Sequence, residues 1–313
     1  MRKIFLPATF IFLYLFLASE VLSSEAPKVL ISAPSRSLTW FPAHLAKEKG
    51  FYREEGLDVD FVIMKPQVAL QALVSGDVLY TTAIGSTMRA AFRGLPVRVV
   101  MTICEKPHFV LVARPGIQSV EGLRGKILGV SSLGASTDTM ARALLAKSRL
   151  IPGQDVKILA VGGGTNRLAA LQSRAIDATL LEAPYNLMAE REGFARILFV
   201  GDLIPSPIAG FGTTLEHMRR DSDAIRRLIK ATLRGIRYAK SHKQESVQSI
   251  TKWTEMDAAL AEGAYEMAVG TWSNSGVPNS EALKAALEEA KRELKVDAPL
   301  DPARAFDWSF VPK

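Results

Sequence analysis

Two hydroxyl-rich loops are the segments of this sequence best placed to bind a polar ligand. They are Thr81-Thr82-Ala83-Ile84-Gly85-Ser86-Thr87 and Ser131-Ser132-Leu133-Gly134-Ala135-Ser136-Thr137, each between a predicted strand and a predicted helix. The start of a helix presents unpaired backbone N–H groups and the positive end of the helix dipole, which favour an anionic or polar group. Because Ser and Thr are also common helix caps, the alternative for Ser136 and Thr137 is an N-cap without a ligand.

Nucleotide hydrolysis is not expected at the second loop. Ala135 stands where a phosphate-binding loop would carry the lysine that reaches the β- and γ-phosphates. Two loops of the same type, one in each half of the chain, predict donor-rich surfaces at the carboxyl ends of two sheets. This edge is where open α/β folds usually bind ligands.

Two further segments carry candidate binding residues. Arg36 offers a planar set of donors to a carboxylate, sulfonate or phosphate, and Trp40 and Phe41 offer apolar walls for stacking. The alternatives are a solvent-exposed arginine and aromatic side chains packed in the core. Glu182 follows another predicted strand, and in a cleft it would favour a ligand with a cation or N–H donors. A carboxylate at a helix start also stabilises the helix without any ligand.

Catalytic and metal-binding patterns are absent from the sequence. Cys104 is the single cysteine beside four histidines, and no CxxC, HExxH or GxSxG pattern occurs. A nucleophilic pair of Cys104 and His108 is the one candidate, and a packed, inert thiol is the alternative. We therefore expect no catalytic residue, no metal and no cofactor.

Composition indicates a folded chain without a nucleic-acid surface. The 313 residues are 48% hydrophobic and 23% charged, which excludes an intrinsically disordered chain. The net charge of +7 is scattered and includes no run of Lys and Arg. We expect no nucleic-acid partner.

The order of predicted elements indicates an α/β protein with mainly parallel sheets. Predicted strands alternate with helices up to residue 220, and from Asp221 onward only helices are predicted, over 222–242, 245–253, 258–271 and 280–294. Residues 72–82 align without gaps on 170–180, which suits two similar lobes. The predicted strands are Val29–Ala33, Val59–Met64, Leu79–Ala83, Val97–Ile103, Phe109–Ala113, Ile127–Val130, Val156–Val161, Ala178–Leu181 and Ile197–Val200.

The first 24 residues have the pattern of a cleaved signal peptide. Two basic residues, Arg2 and Lys3, precede an uncharged apolar stretch over 4–18 and a small-residue zone over 19–24. A membrane anchor, the alternative, would need about 20 apolar residues, and Glu20 ends the stretch early. We expect cleavage near Ser23 or Ser24 and a mature chain in the periplasm.

Four segments, at 46–59, 72–77, 120–127 and 170–178, carry a family resemblance. In sequence and order they resemble the periplasmic substrate-binding proteins of ABC importers for nitrate, sulfonates, taurine and thiamine-precursor pyrimidines. The resemblance implies a type II periplasmic-binding-protein fold, α/β, with two hinge-linked lobes and a helical C-terminal tail. On this sequence, lobe 1 would be 25–110 plus 212–313, and lobe 2 would be 111–211.

The resemblance also implies a function. The chain would capture a small organic, anionic ligand between its lobes, close on it, and deliver it as a monomer to an ABC importer permease with its cytoplasmic ATPase. The alternatives are an enzyme on the same fold acting on a small heterocyclic or carboxylate compound, and a sensory binding protein. The expected cleft residues are Arg36, Trp40, Gly85, Ser86, Ser132, Ser136, Thr137, Glu182 and Tyr185.

Overall fold

Ten strands form two five-stranded sheets in the residues that this computed structural model describes, 28–203 and 206–312. The expected signal peptide, residues 1–24, lies outside them. The strands are β1 (Lys28–Ala33), β2 (Asp58–Ile63), β3 (Tyr80–Thr81), β4 (Val97–Cys104), β5 (Phe109–Ala113), β6 (Ile127–Val130), β7 (Lys157–Ala160), β8 (Ala178–Glu182), β9 (Ala195–Phe199) and β10 (Ala209–Thr214). The first sheet has the order β2-β1-β3-β10-β4 and the second β7-β6-β8-β5-β9.

Helices cover both sheets and form most of the described chain after β10. They are α1 (Phe41–Glu48), α2 (Phe51–Glu54), α3 (Pro66–Ser75), α4 (Ile84–Phe92), α5 (Ser136–Lys147), α6 (Gly164–Gln172), α7 (Tyr185–Arg191), α8 (Leu215–Arg220), α9 (Ser222–Ser241), α10 (Lys243–Thr254), α11 (Ala258–Val269) and α12 (Ser280–Leu294). Short 3-10 turns cover Glu121–Leu123, Val200–Asp202 and Pro302–Arg304.

The two sheets define two lobes, and the chain passes from the first lobe to the second and back once. Lobe 1 surrounds the first sheet, and lobe 2 surrounds the second sheet with α5 to α7. The chain crosses between β4 and β5 and returns between β9 and β10. The lobe borders expected from the sequence, 110/111 and 211/212, fall within β5 and β10, each of which belongs to one sheet along its whole length.

The sheets are mixed, which differs from the expected mainly parallel arrangement. Strand β1 pairs in parallel with β2 and β3, and β6 pairs in parallel with β7 and β8. The crossing strands run the other way: β10 is antiparallel to β3 and β4, and β5 is antiparallel to β8 and β9. In lobe 1 the antiparallel strand is β10, which is absent from the predicted strands and returns between β3 and β4. In lobe 2 it is the predicted strand β5, which enters between β8 and β9.

The predicted C-terminal helices are confirmed, and α9 illustrates why they form. The Asp221 side chain caps the helix by accepting from the N–H of Ala224 at 3.0 Å. Ile225 and Leu228 are fully buried on one face. Gly235 lies where a Cβ would overlap the backbone oxygen of Pro42, so the glycine allows α9 to pack closely on α1.

Neither a membrane span nor a metal cluster occurs in the described ranges. None of the helices over 28–203 and 206–312 combines the length and the apolar character needed to cross a bilayer. Within the same ranges, no three His, Cys, Asp or Glu residues come together in a way that could hold a metal ion.

Candidate ligand-binding cleft

Two helix starts face each other where the lobes meet. Helix α4 of lobe 1 begins after Ala83, and α5 of lobe 2 begins after Ala135. Neither alanine can cap its helix with a side chain, and no side-chain cap bond is formed at either N-cap. Thr137 instead accepts from the N–H of Ser131 at 2.8 Å. The simple N-cap alternative for Ser136 and Thr137 therefore does not hold. The Ile84 N–H donates to Thr82 O at 3.0 Å, and no described side chain caps the remaining N–H groups at either helix start.

A small cavity lies between these helix starts. Its volume is about 60 Å³, enough for a few water-sized groups in this closed arrangement of the lobes. We call it the cleft cavity. It is lined by Pro34, Thr39, Pro66, Thr82, Ala83, Ser86, Phe109, Ser131, Ala135, Ser136, Thr137, Arg167, Glu182, Ile208 and Ala209. Four of the expected cleft residues, Ser86, Ser136, Thr137 and Glu182, are among them.

The charges on the cavity wall compensate each other. Arg167 Nη2 donates to Glu182 Oε2 at 2.6 Å, and both side chains are buried. Arg167 also donates to the backbone oxygens of Leu180 and Gly162 at 3.0 and 2.9 Å. The second oxygen of Glu182 accepts from the Ser35 hydroxyl at 3.0 Å. Glu182 is therefore not a free carboxylate that would attract a cationic ligand.

The lobes touch on both sides of the cavity. The N–H of Leu38 donates to Ala183 O at 3.2 Å, and the Gln67 amide donates to Leu133 O at 3.0 Å. In the glycine-rich loop before α6, a Cβ on Gly163 would overlap the backbone oxygen of Pro34 in lobe 1. The chain is therefore in a closed state, and Gly163 allows the backbones of the two lobes to meet.

The comparison with known protein families agrees with this architecture. A family model described as "NMT1/THI5 like" matches residues 39–246, more than half of the chain. The chain belongs to the NMT1/THI5-like family. This confirms the resemblance inferred from the sequence segments.

Proteins similar to this NMT1/THI5-like chain in sequence or in fold include binding proteins and an enzyme. The riboflavin-binding protein RibY of Chloroflexus aurantiacus is 23% identical over 88% of this chain and 83% of its own length. The alkanesulfonate-binding protein SsuA from Xanthomonas axonopodis pv. citri, bound to MOPS, superposes with a TM-score of 0.75 at 16% identity, covering 91% of this chain and 99% of its own. The desulfurization enzyme DSZB gives 0.65 at 13%, covering 90% and 97%. The expected two-lobed periplasmic-binding-protein fold is confirmed.

At Gly85 the two helix starts of the NMT1/THI5-like chain come close together. A Cβ at this position would overlap Ser136 Oγ and would lie 3.1 Å from Arg89 Nη2. Arg89 is 2% exposed, and its Nε donates across the lobes to Gly134 O at 2.8 Å. Its Nη2 has no hydrogen-bond partner among the described residues. Its Nε also lies 3.5 Å from the Glu293 carboxylate, so the charge of Arg89 is compensated within the protein.

Sequence reasoning missed Arg89 and Arg167, the two buried arginines of this region. Arg167 follows the glycine-rich loop, but its partner Glu182 lies on a strand whose position is set by the sheet. Arg89 lies on the fifth position after the first residue of α4, in a segment with no other charge before it. In a helix, an isolated arginine is normally predicted to be solvated, so no local signal identified either residue.

Two expected residues, Ser132 and Tyr185, are buried beside the cavity and do not line it. The Ser132 hydroxyl has no hydrogen-bond partner among the described residues, as is also true of the Thr82 hydroxyl, which does line the cavity. The Tyr185 hydroxyl donates to Arg36 O at 2.7 Å and accepts from Thr165 at 3.1 Å. Burial raises the pKa of Tyr185 to about 12. Its position makes it a contact between the lobes.

Arg36 and Trp40 lie outside the cavity, contrary to expectation. Trp40 is 1% exposed, and its indole N–H donates to Ser35 O at 2.8 Å, so the ring turns into lobe 1. The Arg36 guanidinium donates to Trp253 O at 3.2 Å and lies 3.6 Å from Glu255. The loop after β1 therefore directs these side chains toward α10, whose end carries their partners, and away from lobe 2.

The Cys104 and His108 pair is buried, and the Thr271 hydroxyl lies 3.4 Å from both side chains. The Cys104 Sγ and His108 Nδ1 atoms are 3.8 Å apart, and neither residue lines the cleft cavity. Burial raises the pKa of the Cys104 thiol to about 12 and lowers the pKa of His108 to about 4. A neutral thiol beside a neutral imidazole is a poor nucleophile, which supports the packed, inert interpretation of Cys104.

Proposed function

We propose that the chain is an extracytoplasmic solute-binding protein that captures a small organic anion between its lobes and delivers it to an ABC importer. The observation that carries this proposal is the pair of helix starts at Ala83 and Ala135, which face one cavity from two lobes without side-chain caps. Closing the lobes brings both sets of backbone N–H groups onto one ligand. Such a ligand selects the closed state.

The cavity chemistry favours an anion with an apolar body. Arg167 pairs with Glu182, Arg89 with Glu293 and Asp138 with Arg142, so the charged side chains of this region are compensated within the protein. The positive potential at the cavity therefore comes from the two helix starts. Phe109 and Ile208 form an apolar part of the cavity wall, and the Thr82 hydroxyl in the wall has no hydrogen-bond partner among the described residues. The relatives support this class in part: SsuA was seen with MOPS, a sulfonate, whereas RibY is named for riboflavin.

Delivery requires a location outside the cytoplasm and a membrane partner. The signal-peptide pattern over residues 1–24 supports export of the mature chain to the periplasm. The partners we infer are the importer permease and its cytoplasmic ATPase, with the binding protein acting as a monomer. Light scattering of the mature protein tests the monomer, and ligand-dependent stimulation of the reconstituted ATPase tests delivery against a sensory role.

The first experiment is a thermal-shift panel on residues 25–313. The panel contains nitrate, alkanesulfonates, carboxylates, aromatic acids, aminopyrimidines and riboflavin. A ligand of the native state at about 100 times its Kd adds about 2.7 kcal/mol to the free energy of unfolding. We expect stabilisation by organic anions. Stabilisation by cationic compounds alone would contradict the proposed ligand class, and chemical conversion of the stabilising compound would favour the enzyme alternative that DSZB represents.

A charge placed at the helix start tests the mechanism of recognition. Ala135→Asp adds an N-cap that stabilises α5 and at the same time occupies its N–H groups with a carboxylate. Ala135→Asn is the matched control, since it caps the helix without charge. We expect Asp to weaken binding of the panel's best anion at least about tenfold more than Asn, measured by calorimetry. Equal affinities in the two variants would exclude the α5 start as the anion site.

A further inference from the structure

A second, larger concave site lies on the outer face of lobe 1. It is bounded by α1, the edge strand β2 and the end of α10, and its volume is about 630 Å³. We call it the outer groove and define it by Trp40, His44, Arg53, Phe61, Lys252 and Trp253. None of its lining residues lines the cleft cavity. Its volume falls within the range of small-molecule binding sites.

Aromatic rings form the floor and walls of the outer groove. The Trp40 ring lies 4.7 Å from the Phe61 ring and 4.9 Å from the Trp253 ring, centroid to centroid, and it meets Trp253 edge-on. His44 stacks on Trp253 at 4.4 Å with 15° between the ring planes. Burial lowers the pKa of His44 to about 4, so this ring is uncharged at neutral pH. Phe61 and Trp253 remain half-buried, which leaves aromatic surface open to a ligand.

The groove also carries positive charge that the protein does not compensate. Lys47 is paired with Asp60, and Arg36 with Glu255. The exposed side chains of Arg53 and Lys252 have no ion pair or hydrogen bond with any described residue. The Glu48 carboxylate also lines the groove, where it accepts from the Ser249 hydroxyl and lies 3.6 Å from the uncharged His44 ring. The two unpaired cations, Arg53 and Lys252, therefore leave the lining with a net positive charge beside its aromatic floor.

We propose that the outer groove is a second ligand site that binds a flat aromatic anion, such as an aromatic sulfonate or carboxylate. The ring of the ligand packs against Phe61 and Trp253 over the Trp40 floor. Its charged group is placed between Arg53 and Lys252, which hold it by charge-assisted hydrogen bonds. An apolar body with one charged end matches this division into an aromatic floor and a cationic rim.

Calorimetric titration of the mature protein with 2-naphthalenesulfonate tests the proposal. The test variant is Arg53→Gln with Lys252→Gln, and both positions are exposed, so folding is preserved. The matched control is Arg149→Gln with Lys157→Gln, which removes two exposed cations from lobe 2. We expect the test variant to lose affinity about tenfold and the control to match the wild type. Butanesulfonate, which has no ring, is expected to bind the outer groove at least about tenfold more weakly than the aromatic probe.

The Ala135→Asp variant separates the two sites because it alters the cleft alone. If 2-naphthalenesulfonate binds Ala135→Asp as it binds the wild type and binds the groove variant weakly, the second site is supported. An affinity that is lost in Ala135→Asp and kept in the groove variant would assign the probe to the cleft and overturn the proposal. An equal loss in the Arg149 and Lys157 control, or no saturable binding to the wild type, would also overturn it.

Discussion

The cleft cavity and the outer groove differ in how their charged side chains are paired. In the cleft, Arg167 and Glu182 are both buried and satisfy each other at 2.6 Å, with further bonds from Ser35 and to backbone oxygens. At the groove, Arg36 pairs with Glu255 in water, with side chains 54% and 83% exposed, and the Arg53 side chain has no partner among the described residues. The enclosed site thus presents backbone dipoles to a ligand, whereas the open one presents side-chain charges.

Desolvation explains this difference. A lone charge in an enclosed site loses its hydration, so it must be paired and hydrogen-bonded within the protein. Helix starts provide positive potential there without a mobile charge to desolvate. In the open groove, water solvates Arg53 and Lys252, so free cations cost little but are also screened by salt. We therefore expect salt to weaken binding at the groove more than binding in the closed cleft.

The largest expected effect comes from breaking the buried pair. Arg167→Met leaves the Glu182 carboxylate buried without its partner, and we expect a loss of about 3–5 kcal/mol in the free energy of unfolding. Arg36→Met removes the corresponding arginine at the groove, and there the expected loss is about 0–1 kcal/mol. Urea denaturation of both variants at neutral pH measures the contrast. Similar losses in the two variants would mean that burial does not distinguish the two arginines.

The backbone arrangement of the cleft could be predicted from the sequence because local sequence patterns determine it. Strand, hydroxyl-rich loop and helix follow one another at Gly85 and again at Ser136, and the structure places both loops at one cavity. The strands from β1 to β9 were predicted for the same reason. Each has a run of β-branched or apolar residues bounded by turn residues.

Features that depend on packing between distant segments could not be predicted from the sequence. Strand β10 was missed because Gly210 and Gly212 weaken its strand pattern, yet both are needed where Met101 O and Thr87 leave no room for a Cβ. Trp40 was expected in the cleft because its type and position in a loop suit ligand stacking. Its orientation is set by Phe61 and Trp253, which lie far away in the sequence. Local patterns therefore predict which backbone groups face the cleft more reliably than which side chains do.

A buried acid behind the cleft gives the next largest expected effect. Glu289 on α12 is buried, and burial raises its pKa to about 7. Glu293 also raises this pKa, whereas Arg89, Arg292 and a hydrogen bond from Ser206 lower it. The raised pKa means that the folded state favours the protonated acid. Its contribution to stability is present below the unfolded pKa of 4.5 and is lost as the pH rises toward 7.

Glu289→Gln removes this titration while keeping the shape of the protonated acid. We expect the stability of the variant relative to the wild type to increase by about 2 kcal/mol between pH 5 and pH 7. Urea denaturation of both proteins at the two pH values gives this double difference. Exposed Glu288→Gln, at the preceding residue of the same helix, is the control. A difference independent of pH would show that Glu289 is ionised throughout this range.

The smallest of these effects tests closure itself, the property that the cleft has and the groove lacks. Gly163→Ala places a Cβ against Pro34 O and 3.1 Å from Ser35 Cβ, both in the opposite lobe, while its own φ of −63° suits alanine. The open state is therefore unaffected and only the closed state is strained. We expect the panel's best cleft ligand to bind about tenfold more weakly, or about 1.4 kcal/mol, whereas 2-naphthalenesulfonate binding at the groove is unchanged. Gly270→Ala, which has open space around it, serves as the control. Equal weakening of both ligands by Gly163→Ala would mean that the groove also depends on closure, through the Tyr185 contact to Arg36.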